Sequence, residues 1–134
     1  MYHVVIGIDD DTEHALACVE EVAKLPGEPG EKEVTLIHSF TDNPTGASAT
    51  QIQSVREASE FLEDRGVEYD VNESSGDPAD VILEFAEEED ADLIVTAGRK
   101  RSPAGKALFG SVTQTVILNS DRPVMVTGST KRKR

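Results

Sequence analysis

Val4-Val5-Ile6-Gly7-Ile8-Asp9-Asp10-Asp11-Thr12 decides how the rest of the chain is read. Its first five residues are a continuous apolar run, mostly β-branched, the pattern of a strand covered on both faces. The Asp-Asp-Asp-Thr that follows supplies side chains able to cap a helix N-terminus. Ala15, Leu16, Val19, Val22 and Ala23 then recur at helical spacing. Residues 12–25 are therefore predicted to be a helix, stopped by Pro26-Gly27 and Pro29-Gly30. A buried strand leading into an amphipathic helix is half of a parallel β-α-β unit.

The unit recurs along the chain. Residues 34–40 read as a second strand, and residues 41–49 as a polar loop with Pro44 and Gly46. Ile52, Val55, Ser59 and Leu62 lay one apolar stripe along a helix that Gly66 ends. Residues 67–71 alternate in character, which suits a strand covered on one face at a sheet edge. In Gly76-Asp77-Pro78-Ala79-Asp80, Asp77 can cap a helix and Pro78 fits its first turn, where a missing N–H costs nothing. Val81, Ile82, Phe85 and Ala86 form the apolar face of that helix. Residues 93–97 read as a fourth strand. Ser111-Val112-Thr113-Gln114 has the form of a capping box opening a helix that carries Val112, Val116 and Ile117. Residues 123–127 read as the fifth strand. The strict alternation predicts one α/β domain over residues 1–130, a doubly wound, five-stranded parallel sheet of Rossmann-like type. The basic tail Lys131-Arg132-Lys133-Arg134 is expected to lie outside it, disordered. Such sheets take ligands beyond the strand carboxyl ends. Those ends are Ile8-Asp9, Ser39-Phe40, Ser74-Ser75 and Ala97-Gly98.

Composition agrees. The 134 residues are 37% hydrophobic and only 4% aromatic, without Trp, so the core must be built from Val, Ile, Leu and Ala. A single cysteine, Cys18, excludes an internal disulfide and a cysteine zinc centre. No apolar run reaches the roughly 20 residues of a membrane span. The first residues lack the charged segment and cleavage site of a signal peptide, so a soluble cytoplasmic protein is expected. The 26 Asp and Glu against 13 Lys and Arg give a net charge of −13. That surface repels nucleic acid and anionic membranes. With only six Lys, it also points to adaptation to very high salt, as in a halophilic archaeon.

The acid is unevenly spread. Residues 93–120 hold no Asp or Glu, yet carry Arg99, Lys100, Arg101 and Lys106. Within them, the stretch from Gly98 to Ser111 joins the fourth strand to the last helix. N–H groups at a helix start bind phosphate oxygens, and Gly98 and Gly110 allow close approach of the backbone. The alternative reading is a solvated basic loop with ordinary capping glycines. Two other phosphate motifs are absent. Gly105-Lys106 lacks both the first glycine and the hydroxyl of a P-loop, and Gly7 stands alone where a dinucleotide fingerprint needs three glycines. Asp9-Asp10-Asp11 can serve as carboxylates for Mg²⁺ or as a negative helix start, the latter preferred for Asp11. A phosphoacceptor receiver domain is excluded: residues 72–75 are Asn-Glu-Ser-Ser, and no Lys ends the fifth strand. His3, His14 and His38 are scattered, so no catalytic set emerges.

Taken in order, these segments resemble the universal stress protein family over nearly the whole chain. The resemblance is carried by the apolar strand ending in Asp9, Ile37-His38, Gly76-Asp77-Pro78, Asp92-Leu93-Ile94-Val95, Gly110-Ser111-Val112 and Arg122-Pro123-Val124. It implies a stress-response regulatory module that binds ATP, or AMP or ADP, with Mg²⁺ as an accompanying ion. In nucleotide-binding members the loop reads Gly-x2-Gly-x9-Gly-Ser/Thr. Here Gly110-Ser111 matches, Lys100 takes the second glycine position, and Ala97 takes the first with Gly98 beside it. By resemblance, Gly7, Ile8 and Asp9 line the adenine and ribose region, and Ser39 borders the adenine. Ala97, Gly98, Arg99 and Arg101 border the phosphates, with Gly110, Ser111, Val112 and Thr113 beneath them. The resemblance also implies a homodimer through the fifth strand at Val124, Met125 and Val126. The alternatives are a nucleotide-free interaction module of the same fold and a weak ATPase. The salt reading has a direct check. Thermal unfolding should come at a markedly higher temperature in molar KCl than in dilute buffer, and equal midpoints would remove the inference.

Overall fold

The computed structural model describes residues 1–40, 52–98 and 110–128. Arg99, Lys100, Arg101, Lys106, the predicted 41–49 loop and the tail lie outside the described residues. The elements are β1 (Tyr2–Gly7), α1 (Thr12–Ala23), a 3₁₀ turn (Pro29–Glu31), β2 (Lys32–Phe40), α2 (Gln53–Asp64), β3 (Glu68–Ser75), α3 (Pro78–Glu88), β4 (Leu93–Ala97), α4 (Ser111–Asn119) and β5 (Val124–Thr127). All pairings are parallel, in the order β3-β2-β1-β4-β5. The five-stranded α/β sheet read from the sequence is the observed fold, and β3 is an edge strand.

The inner strands serve two cores, because successive side chains point to opposite faces, while the edge strand β3 packs Tyr69 and Val71 against one. Val4 and Ile6 of β1 meet Ala15, Cys18, Val19 and Val22 of α1 and Val55, Ala58 and Leu62 of α2 on one face. Val5, Ile37 and Ile94 meet Ala79, Ile82 and Ala86 of α3 and Val116 of α4 on the other. Helices on both faces explain why the central strands are continuously apolar. No described helix is long and apolar enough to cross a membrane.

The helix starts show how local chemistry sets the boundaries. Asp11 caps α1 by accepting from the N–H of His14, and Asp77 caps α3 by accepting from Asp80, with Pro78 in the first turn. Gly66 follows α2 at φ +75°, a left-handed conformation that glycine adopts without strain. Besides β3, which runs Glu68–Ser75 rather than over 67–71, the sequence reading is corrected at four points. First, β1 and β2 begin earlier, at Tyr2 and Lys32, because strand pairing with a neighbour extends past the apolar run. Second, α1 ends at Ala23, and Pro29–Glu31 form a separate turn. Third, on α2 the buried positions are Ser54, Val55, Ala58 and Leu62, and Ser59 is only half-buried, its hydroxyl donating back to the Val55 carbonyl. Fourth, on α4 Ile117 and Leu118 point outward, 41% and 75% exposed.

Cys18 lies fully inside, with its sulfur 3.5 Å from Thr127 Oγ1 at the end of β5. Burial pushes its thiol up to about 12, with the Asp9 charge adding to the rise and the Thr127 hydrogen bond opposing it.

Candidate functional site

The carboxyl ends of β1 and β4 lie side by side, and the chain leaves them toward opposite faces: α1 covers one face, while α3 and α4 cover the other. That divergence opens a cavity of about 250 Å³. It is lined by Gly7, Ile8, Asp9 and Asp10 after β1, by His14 of α1, and by Ile37, His38 and Ser39 of β2. Pro78 and Ile82 of α3, Thr96 and Ala97 of β4, and Gly110, Ser111, Val112 and Thr113 at the start of α4 complete the lining. Nine of the residues singled out from the sequence thus meet here: Gly7, Ile8, Asp9, Ser39, Ala97, Gly110, Ser111, Val112 and Thr113. Gly98 does not line the cavity; its N–H donates to the Thr127 carbonyl at 2.7 Å and extends the β4–β5 pairing. Arg99 and Arg101 lie outside the described residues.

One wall is acidic and histidine-paired. Asp9 uses both carboxylate oxygens: Oδ1 accepts from the Asp11 N–H at 2.9 Å, and Oδ2 lies 2.9 Å from His14 Nδ1. Asp10 Oδ1 lies 2.9 Å from Nε2 of the buried His38. Asp9 is therefore not a helix cap, since Asp11 fills that role. The Mg²⁺ reading of Asp9-Asp10-Asp11 does not fit this geometry. Each carboxylate is turned to its own partner, and among the described residues no group of three or more His, Cys, Asp or Glu converges on a metal position.

The opposite wall is the start of α4, and here the capping-box reading is corrected. Gly110 holds the N-cap position at φ −69° and ψ 165°, with no side-chain cap. Ser111 is the first helical residue, one position too late for its hydroxyl to cap the N–H groups ahead. The first turn also carries no acidic side chain. Unlike α1 and α3, this helix has no side-chain cap on its opening N–H groups among the described residues, and its first residues line the cavity. Thr113 fixes the wall in place, its hydroxyl donating to the Ala97 carbonyl at 2.9 Å. Ser39 is similarly engaged, donating to the Gly76 carbonyl at 2.8 Å. Ser54 donates to the Asp9 carbonyl at 2.6 Å and ties α2 to the acidic wall.

Gly7 shapes the floor between the walls. A Cβ placed there would lie 2.5 Å from Ile82 Cδ1 and 3.8 Å from Thr96 Cγ2, so the α3 side chain occupies the space that glycine leaves. Asp10, His14, His38, Pro78, Ile82 and Thr96 line the cavity as well, although no motif in the sequence marks them as nucleotide contacts. Apart from Asp10, which follows Asp9 in the chain, they reach the site through the packing of α1, β2, α3 and β4 around it. The one available signal is Ile37-His38 at a strand end.

The sequence profile of the universal stress protein family matches residues 1–128. The chain belongs to the universal stress protein family. It is 36% identical over 72 residues to the stress response protein NhaX of Bacillus subtilis, an overlap covering 54% of this chain and 43% of that protein. The chain spans about half the length of the curated relatives it matches. Among solved structures, a universal stress protein from Archaeoglobus fulgidus is 30% identical with a TM-score of 0.71, covering 95% of this chain and 98% of that one. A universal stress protein structure from the same organism, in complex with dAMP, is 25% identical with a TM-score of 0.65 at the same coverages.

The tight floor generates a stability test. Gly7→Ala should destabilise the protein by about 1 kcal/mol, the cost of turning the Ile82 end methyl out of its rotamer. Ile82→Val, which deletes the clashing methyl, should recover most of that loss in the double variant. Urea unfolding of the four proteins measures the coupling; strictly additive losses would show that the two residues do not compete for one space.

Proposed function

We propose that this universal stress protein binds an adenine nucleotide, ATP by preference, in the cavity between β1 and β4, and that occupancy acts as a regulatory signal. The observation that carries the reading is the uncapped start of α4 facing that cavity. Free N–H groups and the positive end of a helix favour a polyanion, and the segment from residue 93 to residue 120 is free of acidic side chains. The apolar floor of Gly7, Ile37 and Ile82 suits a base, and Asp9, which lines the same cavity, is the group this reading gives to the sugar. The dAMP complex of the Archaeoglobus fulgidus protein supports the ligand class. A nucleotide-free interaction module is the second reading. What favours it is Ala97, which lines the cavity where the family pattern has glycine.

Calorimetric titration with ATP, with and without Mg²⁺, separates the two. Binding heat is expected; none at millimolar ATP would overturn the nucleotide reading. Gly110→Asp supplies the missing cap. It should leave stability equal or higher by roughly a few tenths of a kcal/mol, while weakening ATP binding by at least about tenfold through charge repulsion and loss of the free N–H groups.

The same protein is proposed to form a homodimer through β5. Val124, Met125 and Val126 are only half-buried on an open edge, and the exposed Ile117 and Leu118 sit on α4, which packs against that strand. An apolar edge of this kind favours pairing with a second copy. Sedimentation equilibrium should return twice the chain mass, and a single-chain mass at tens of micromolar would overturn the assignment.

A further inference from the structure

Residues 1–98 carry only four basic side chains, Lys24, Lys32, Arg56 and Arg65, in a chain of net charge −13. Three of the four line one cavity of about 410 Å³. It lies at the amino end of the sheet and shares no lining residue with the cavity between β1 and β4. Separate elements bring the three together. Lys24 and Arg65 are the C-cap residues of α1 and α2, and Lys32 opens β2. Two residues before Val34, Lys32 falls on the sheet face that α1 and α2 cover.

The surrounding acid does not consume these cations. Lys32 is 3% exposed, and its Nζ donates to a single acceptor, the Gly27 carbonyl, at 3.5 Å. Gly27 lines the same cavity. Arg65 lies over the Phe61 ring, 3.8 Å from its centroid, which holds the guanidinium without occupying its N–H donors. Among the described residues, neither Lys32 nor Arg65 makes an ion pair. Lys24 has only Glu21, at 3.5 Å. Arg122 shows the contrast: its guanidinium donates to the Ala91 carbonyl, Glu87 and Asp90.

A cation at a helix C-terminus complements the dipole there, and that ordinary role accounts for the exposed Lys24 and Arg65. It does not account for burying Lys32 beside them. A buried ammonium is costly without a counter-charge, has three N–H groups to satisfy, and gains nothing from like charges on the same wall. Methionine would fill the same strand position without that cost. An anion in the cavity offsets it. Glu20 is the one carboxylate lining the cavity, and it disfavours a highly charged molecule over one bearing a single oxyanion group. The volume is that of a small-molecule pocket and exceeds what a bare ion needs.

We infer that this cavity binds a small molecule through one phosphate or carboxylate group, held by Lys32 and Arg65 with Lys24 at the rim. The site is independent of the nucleotide reading.

The test follows the backbone amide resonances of the full chain on titration with sodium phosphate or sodium acetate, against sodium chloride at equal ionic strength. Saturable shifts at Gly27, Lys32, Phe61 and Arg65 are expected with at least one of the two probes and not with chloride. Saturation by phosphate alone names a phosphate ligand and by acetate alone a carboxylate; either supports the site. Lys32→Met and Arg65→Gln should each weaken the saturating probe about tenfold. Arg65→Gln leaves the buried position untouched, so it reads the site even where Lys32→Met folds poorly. Shifts that stay linear, or that equal those in chloride, are screening and overturn the inference. So does saturation that survives both substitutions, or saturation confined to Gly110 and Ser111, which would put the anion at the α4 start instead.

Discussion

The right-handedness of β-α-β crossovers governs this molecule. With strands in the order β3-β2-β1-β4-β5, the rule places α1 and α2 on one face and α3 and α4 on the other. The strands adjacent at the centre, β1 and β4, must then send their chains apart. The gap between them is a consequence of handedness before any side chain is chosen. The side chains only decide what the gap can hold.

They do so by an asymmetry of charge and capping. After β1 the chain sets down three aspartates, and the fold immediately gives them partners: a backbone N–H and His14 for Asp9, His38 for Asp10, the α1 start for Asp11. After β4 the chain reaches α4 with a glycine at the cap and no acid in the first turn. Among the described residues, one wall thus has its carboxylates paired, and the other has a helix start without a side-chain cap. A ligand with a neutral, ring-bearing end and an anionic end matches that polarity better than a uniformly charged one.

Much of this is legible in the sequence, for physical reasons that differ by element. The five strands and four helices follow from periodicity because every one of them buries a face. Asp77-Pro78 locates a helix start to the residue, since capping and proline chemistry are local. Gly110-Ser111 is less secure. Serine is the better cap by preference, yet the chain enters α4 with the extended geometry on the glycine, and the preference loses by one position. Ile117 reads as inward-facing because its type outweighs its position on a nine-residue helix at the end of the sheet. The histidine–aspartate pairs and the Gly7–Ile82 fit are beyond sequence reasoning. His38 and Asp10 are 28 residues apart, and Ile82 reaches Gly7 only after β3 and α3 have folded back over the sheet.

Cys18 carries a consequence for how the folded chain meets oxidants. Oxidants and electrophiles attack a thiolate that is accessible; this sulfur is neither, being enclosed by the α1 core and held protonated far above neutral pH. Being the sole cysteine among the 134 residues, it leaves the chain without a sulfenate, mixed-disulfide or covalent cross-link route to altered behaviour while folded. Peroxide and thiol-reactive metabolites therefore meet no reactive cysteine while the chain stays folded, and only its unfolding would lay that thiol open to them.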